Sequence, residues 1–346
     1  MLQGHINQSS RLLPLQPLKR LLPSSGTTCL SGLSTDASVV VAPTVQLPVP
    51  LRNASLPTPH QQQGALALRC EREELPQYAG LCWAAAARCE GSLGNNPAEA
   101  WALVRAARQF LSAETKAASV GCTGPGADYL QAAASCYGHA ANRWQQHHAA
   151  EQPPIPGAAV LPCPLSTGLA VELGLALKND LRRVAEAATQ FKLAAQQTTS
   201  PLDRLSCLGH LASCRIELGD YDGALNVFSE MVRVANQGSK TPMGVYSDVL
   251  HRCEVTRVLL LLILQPAAQR LPPDLGQVLE KYAWEAGGNV PVNYLSEDEF
   301  ILLQSLVMAC QSKDCESLQE LEAQLWPYLT AEQRGLLRTL VCHMTT

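Results

Sequence analysis

The chain has 346 residues, 47% hydrophobic, 16% charged and 5% aromatic, enough for one large or two ordinary globular domains with a buried core. A formal charge of -4 argues against a protein whose main work is to neutralise nucleic-acid phosphates, because that work leaves a basic excess. Thirteen cysteines at irregular spacing include no C-x-x-C pair, and an odd number cannot all pair within one chain, so reduced thiols in a cytosolic compartment are the simpler reading.

Residues 1–62 hold eight prolines, many Ser, Thr and Gln, the bases Arg11, Lys19, Arg20 and Arg52, and the single acid Asp36. Such a composition cannot build a packed core, which predicts a disordered leader over 1–62 and one folded domain over 63–346. Basic, leucine-bearing and nearly acid-free, the leader also fits a mitochondrial transit peptide, although a disordered or misassigned segment is the favoured reading. The sequons at Asn7 and Asn53 follow no signal peptide and carry no weight.

From about residue 64, Ala- and Leu-rich segments alternate with short Gly, Pro or Asn breaks, the pattern of helices joined by turns. Tyr78, Leu81, Cys82, Ala85 and Cys89 share one helical face by their i, i+3, i+4, i+7, i+11 spacing. The next helix is predicted to start with Asn96 as N-cap, Pro97 at the first helical position and Glu99 in the first turn. Gly121, Gly124 and Gly126 around Pro125 read as a plain loop. His139, His147 and His148, with Cys136 or Cys163, form the single histidine cluster, but no H-x-x-x-H spacing or paired cysteine hook makes it a metal site, and solvated or core histidines are expected.

Leu202–Gln237 carries the clearest repeat. Leu208, Leu211 and Ala212 on a first helix precede Gly219, Tyr221, Ala224 and Phe228 on a second, with the spacing of a 34-residue tetratricopeptide helix-turn-helix. Small residues at Ala212 and Ala224 let the helices approach, Gly219 supports the turn, and Phe228 fills the groove between successive pairs. Ala187, Phe191 and Ala194, and Ala100, Val104 and Ala107, echo the second-helix spacing, so an array is expected in which each unit buries its apolar face against its neighbours. Ser200-Pro201-Leu202-Asp203 marks one helix start, and Ser296 with Glu299 and Thr330 with Gln333 fit the capping box.

Val258–Leu264, the most hydrophobic run, spans only about 10 Å as helix and so predicts a core helix rather than a membrane span. Alternating period-two runs are missing from residue 64 onward, and the fold class is read as all-α, a tetratricopeptide-like helical-hairpin array. Catalysis is not expected. Gly238-Ser239-Lys240-Thr241 lacks the leading glycine of a phosphate loop, no serine stands in G-x-S-x-G, and Cys207 and Cys214 lie two helical turns apart like small core hydrophobes. No cofactor or metal is implied.

Charge is unevenly spread. Residues 271–346 carry eleven acids against four bases, whereas 63–270 are neutral. Glu297, Asp298, Asp314 and Glu316 are the candidate partner-binding residues, on an acidic surface suited to a basic partner. The competing reading is local, since acids in a helix's first turn favour the macrodipole by about 0.3–1 kcal/mol each.

Ser247–Pro266, Leu279–Ala286, Glu299–Cys310 and Leu325–Gln333 closely resemble the forty-kilodalton huntingtin-associated protein family, also called the factor VIII intron protein family. The resemblance continues more loosely through Leu130–Ser135, Asp220–Phe228 and Cys82–Cys89, over most of residues 70–343. It implies an all-helical array that binds and stabilises huntingtin between its HEAT-repeat domains, and a link to an early-endosomal Rab GTPase that recruits huntingtin to early endosomes. Cytoplasm, early endosome and nucleus are the compartments it suggests. It also aligns the four acids with family positions near a basic region of huntingtin. The chain departs from the family in its leader, where a basic helical segment is expected, and in the insert Gln152–Pro164. The alternative function is a tetratricopeptide-type adaptor for a different protein or a short peptide, recognisable by basic or Asn side chains lining a concave groove.

Overall fold

Helices rich in alanine can approach one another closely, because interaxial distance follows the size of the side chains at the contact. The computed structural model describes residues 59–121, 128–151, 164–237, 244–266, 272–282 and 294–345, and of 59, 60, 149–151 and 164 the backbone alone. The leader up to residue 58, most of the proline-rich insert, Gly124 to Gly126 and Gly238 to Thr241 lie outside these residues.

Among the described residues the secondary structure is helical, with no strand. In chain order the α-helices are α1 (Pro59–Arg72), α2 (Pro76–Ser92), α3 (Asn96–Ser119), α4 (Asp128–Glu151), α5 (Pro164–Leu175), α6 (Val184–Gln197), α7 (Pro201–Glu217), α8 (Tyr221–Gln237), α9 (Val245–Leu264), α10 (Pro273–Glu280), α11 (Glu297–Ser312), α12 (Cys315–Leu325) and α13 (Ala331–Thr345). A π-helical turn, Ala176–Asp180, closes α5. The first helix thus begins at Pro59, within the segment that composition alone assigns to the leader.

From α1 to α9 each helix packs chiefly on its neighbours in sequence, the connectivity of a helical-repeat array. Buried alanines set the spacing in the first half: Ala79, Ala86, Ala87, Ala100, Ala106, Ala107, Ala133 and Ala140 are all shielded. At two crossings glycine does what alanine cannot. A β-carbon at Gly80 would stand 2.7 Å from Phe110 Cε1, and one at Gly174 would stand 2.8 Å from Phe191 Cε1, so each ring rests directly on the backbone of the preceding helix.

At α9 the pattern changes. This helix packs on α8, α10, α11 and α13, and is buried on every face from Cys253 through Leu262. A helix that is apolar all round finds its place inside a bundle. Its polar members are buried with partners: Glu254 accepts from Lys281 Nζ at 3.1 Å, and Thr256 Oγ1 accepts from Gln333 Nε2 at 3.1 Å. No helix of the described residues is long and apolar enough to cross a membrane.

Several local expectations change in the folded chain. The buried face of α2 comprises Pro76, Ala79, Gly80, Trp83, Ala86 and Ala87, whereas Tyr78 and Leu81 are exposed and Cys82, Ala85 and Cys89 only half-buried. The core-facing stripe is rotated because α1 and α3 flank α2 on the alanine side. Asn95, not Asn96, caps α3, its side chain accepting from the Ala98 amide, and Pro97 follows inside the first turn. Ser200 caps α7 through the Asp203 amide. Thr330 and Gln333 complete a reciprocal capping box, with Thr330 N donating to Gln333 Oε1 at 2.9 Å and Gln333 N donating to Thr330 Oγ1 at 3.4 Å. Ser296 receives the Glu299 amide, but the Glu299 carboxylate turns to His251, so that box is half made.

Candidate partner-binding surfaces

The repeat-packing residues meet across α7 and α8. Leu208, Leu211, Ala212, Ala224 and Phe228 are buried, Tyr221 is half-buried at the start of α8, and Gly219 turns the chain with φ +74°. Only glycine takes that left-handed conformation without strain. Asp220 completes the corner, accepting from Gly223 N at 2.9 Å and from Arg215 Nη1 at 2.6 Å. Upstream, Ala187, Phe191 and Ala194 are fully buried in α6, while in α3 Ala100 and Ala107 are buried and Val104 is half-buried.

One face of α7 runs between α6 and α8 with its two leucines buried and its two arginines half-buried. Arg204, Leu208, Leu211 and Arg215 form a stripe at i, i+4, i+7 and i+11, flanked by α6 with Lys192 and by α8 with Asn226 and Glu230, around a cavity of about 380 Å³. Arg204 Nη2 reaches Glu230 Oε1 at 2.5 Å, and Arg233 approaches the same carboxylate at 3.8 Å. The Nε atoms of Arg204 and Arg215 are buried and meet no acceptor among the described residues. Sequence reasoning passed over these cations, although two arginines eleven positions apart on one helical face were visible as a pattern.

The four candidate acids do not gather at one point. Glu297 and Asp298 open α11, and Asp314 and Glu316 open α12. α12 folds back along α11 after a two-residue turn, so the two pairs stand at opposite ends of a 16-residue helix, about 24 Å apart. Asp314 is the N-cap of α12. It accepts from Ser317 N at 3.2 Å and from Ser317 Oγ at 2.5 Å, and these bonds hold its carboxyl below the usual carboxylate range. Glu299, the third acid of the α11 cluster, is buried and bound to His251, and so lies off the surface.

Large apolar side chains stand exposed on α1–α3. Leu66, Leu81 and Trp101 on these helices, with Leu93 and Val120 just past the ends of α2 and α3, are at least 46% accessible. Trp101 packs edge-on against Trp83 at 5.7 Å, and the Arg105 guanidinium lies 4.4 Å from the Trp83 ring and 4.8 Å from the Trp101 ring. Glu71 anchors this corner from α1, accepting from Trp83 Nε1 at 2.6 Å and Gln109 Nε2 at 3.2 Å.

Of the histidine cluster, His147 and His148 pack on Trp144 and on each other, and Cys163 lies outside the described residues. No group of three or more His, Cys, Asp or Glu among the described residues is placed to hold a metal ion. Cys207, Cys214 and Cys253 are buried, and burial pushes their thiols up, Cys253 to about 12. Such thiols are protonated packing groups rather than nucleophiles.

Hairpins stacked by sequence neighbour, a bundle around a helix buried on every face from Cys253 through Leu262, and surface cations and acids on separate helices define an all-α protein of the tetratricopeptide-like repeat class. No family model matches the chain. It is 36% identical to the 40-kDa huntingtin-associated protein of Mus musculus over 347 aligned positions, which cover 84% of this chain and 87% of the mouse protein. The protein of the same description from Rattus norvegicus matches with the same identity and coverage. The chain belongs to the family of the 40-kDa huntingtin-associated protein.

Proposed function

We propose that this chain is a non-catalytic subunit that binds huntingtin and stabilises it by packing between its HEAT-repeat domains. Kinship carries the reading, since relatives described as huntingtin-associated match 84% of the chain at 36% identity. The exposed apolar side chains of α1–α3 support it, because a subunit that functions inside a complex keeps such surface for its partner. The separate acid pairs of α11 and α12 support contact with a basic surface, with two footholds rather than one patch. We extend the proposal to an early-endosomal Rab GTPase as a further associate, and to cytoplasm, early endosome and nucleus as compartments.

Coexpression with huntingtin followed by size exclusion tests the central statement. Co-elution is expected, together with a melting temperature for this chain that rises with huntingtin concentration, as mass action requires. A free chain that elutes alone beside huntingtin, with unchanged melting, overturns it.

A further inference from the structure

We propose that Cys70 and Cys82 form a reversible disulfide that staples α1 to α2 when the surrounding glutathione pool becomes oxidising. The two thiols belong to one seam. On α1, Ala67, Cys70 and Glu71 share a face at i, i+3 and i+4, and on α2 Ala79, Cys82, Trp83 and Ala86 share one at i, i+3, i+4 and i+7. Ala67 and Ala79 are fully buried, and Trp83 and Ala86 nearly so, which marks these faces as the ones that pack together. One residue beyond each cysteine, Trp83 Nε1 donates to Glu71 Oε1 at 2.6 Å, and this bond fixes the register that sets Cys70 against Cys82. The two cysteine side chains are themselves in hydrogen-bond contact across the seam. A disulfide needs β-carbons about 3.5–4.5 Å apart, and thiols in contact on two closely packed helices stand near that geometry.

Both cysteines are half-buried, so a small oxidant reaches them while the buried thiols of Cys207, Cys214, Cys253 and Cys310 stay shielded. Burial, with the charge and hydrogen bond of Cys70, pushes the Cys82 thiol up to about 11, which makes it the resolving partner rather than the first nucleophile. The Cys70 thiolate attacks one sulfur of glutathione disulfide and releases one glutathione, leaving a mixed disulfide on Cys70. Cys82 then loses its proton and attacks the Cys70 sulfur, releasing the second glutathione. The two cysteines give up two electrons and two protons, and glutathione disulfide takes them up as two thiols. Excess reduced glutathione reverses both steps, in keeping with thiols that rest reduced. The link has mechanical work to do, because α1 packs chiefly on α2 at the start of the described array, and terminal units open most readily. Joining the two helices restricts that opened state.

The staple needs no partner protein, so it is tested independently of huntingtin association. The full chain would be incubated with excess glutathione disulfide, its remaining thiols blocked with N-ethylmaleimide, and digested with trypsin for mass spectrometry. Cleavage after Arg69, Arg72 and Arg88 isolates Cys70–Arg72 and Glu73–Arg88, which the disulfide joins into one species two hydrogens lighter than the separate pair. That species is expected as the main linked product, and dithiothreitol should abolish it. The oxidised chain should melt about 5 °C later than the same chain after dithiothreitol. Cys70→Ser and Cys82→Ser should each erase both the link and the shift, whereas Cys89→Ser, two turns further along α2, should keep both. Circular dichroism separates an unfolded variant from an unlinked one, and Cys70→Ala serves if serine disturbs the seam. Recovery of Cys70 and Cys82 as separate glutathione adducts or blocked thiols, Cys70 linked chiefly to another cysteine, or unchanged melting on oxidation would each overturn the proposal. Failure of wild-type co-elution with huntingtin speaks against the proposed function alone, whereas an unlinked pair speaks against this staple alone.

Discussion

His251 Nε2 lies 2.8 Å from Glu299 Oε2, and this pair ties the core helix α9 to the first turn of α11. The hydrogen bond to Glu299 raises the His251 pKa above its ordinary value, burial opposes it, and the charges of Glu299 and Asp248 add to the rise. A base whose folded pKa is raised contributes its stability in full below the unfolded value, about 6.5, and loses it as pH climbs through the higher folded value. His210 titrates in the opposite sense, since burial and the nearby cations Lys178 and Arg252 lower its pKa. The difference between wild type and His251→Gln isolates the pair. That difference in melting temperature should be largest near pH 6 and shrink toward pH 9, and a difference that is flat or grows over this range would mean the pair is not an ionic tie.

The two glycine–phenylalanine crossings predict an unusual result for a helix interior. Alanine normally gains up to about 1 kcal/mol over glycine there. At Gly80 and Gly174 the new methyl would meet Phe110 and Phe191 inside van der Waals distance, and overpacking of that kind costs about 1–3 kcal/mol. Gly80→Ala and Gly174→Ala should therefore melt earlier than wild type. Gly138→Ala, in α4 with open space around it, should melt at the same temperature or later. Thermal unfolding of the three variants side by side checks the contrast.

Reversing the surface acids should separate association from folding, provided Asp314 is left alone. Replacing Asp314 removes the cap of α12, so its loss would confuse the two effects. Glu297→Lys, Asp298→Lys and Glu316→Lys together keep every described side-chain hydrogen bond that caps α11 and α12. If these acids face a basic partner, the triple variant should bind huntingtin at least about tenfold more weakly and with less salt dependence, at near-wild-type helicity. Unchanged affinity with earlier melting would assign the acids to helix stability instead.

We propose that the segment preceding α1 is dispensable for folding, on the ground of its proline-rich, core-poor composition. Removing residues 1–58, rather than 1–62, keeps α1 whole, because that helix starts at Pro59. The shortened chain should match the full chain in molar helicity of the remaining residues and in melting temperature within a degree or two. A marked drop in either would make the segment part of the core.

Helicity, the α7–α8 repeat and the buried character of α9 were legible in the sequence because each rests on local information. A 3.6-residue apolar period, a glycine at a left-handed turn and a Ser or Thr before a helix act within a few residues of one another, as at Gly219, Ser200 and the Thr330–Gln333 box. An apolar run with no polar face, such as Val258–Leu264, has only one stable environment whatever surrounds it. The face that α2 buries was not legible. Alanines and larger apolar residues occupy both of its sides, so the choice between Tyr78 with Leu81 and Ala79 with Ala86 falls to whichever side α1 and α3 can approach most closely. The same holds for the surfaces. Charge counts brought four acids together that the reversal between α11 and α12 sets about 24 Å apart, and passed over Arg204, Arg215 and Lys192, which share a groove only because α6 and α8 flank the same helix. Local chemistry selects which segments become helices, but side chains distant in sequence become neighbours only through packing between helices, and that packing is decided by the least bulky contact available across the whole chain.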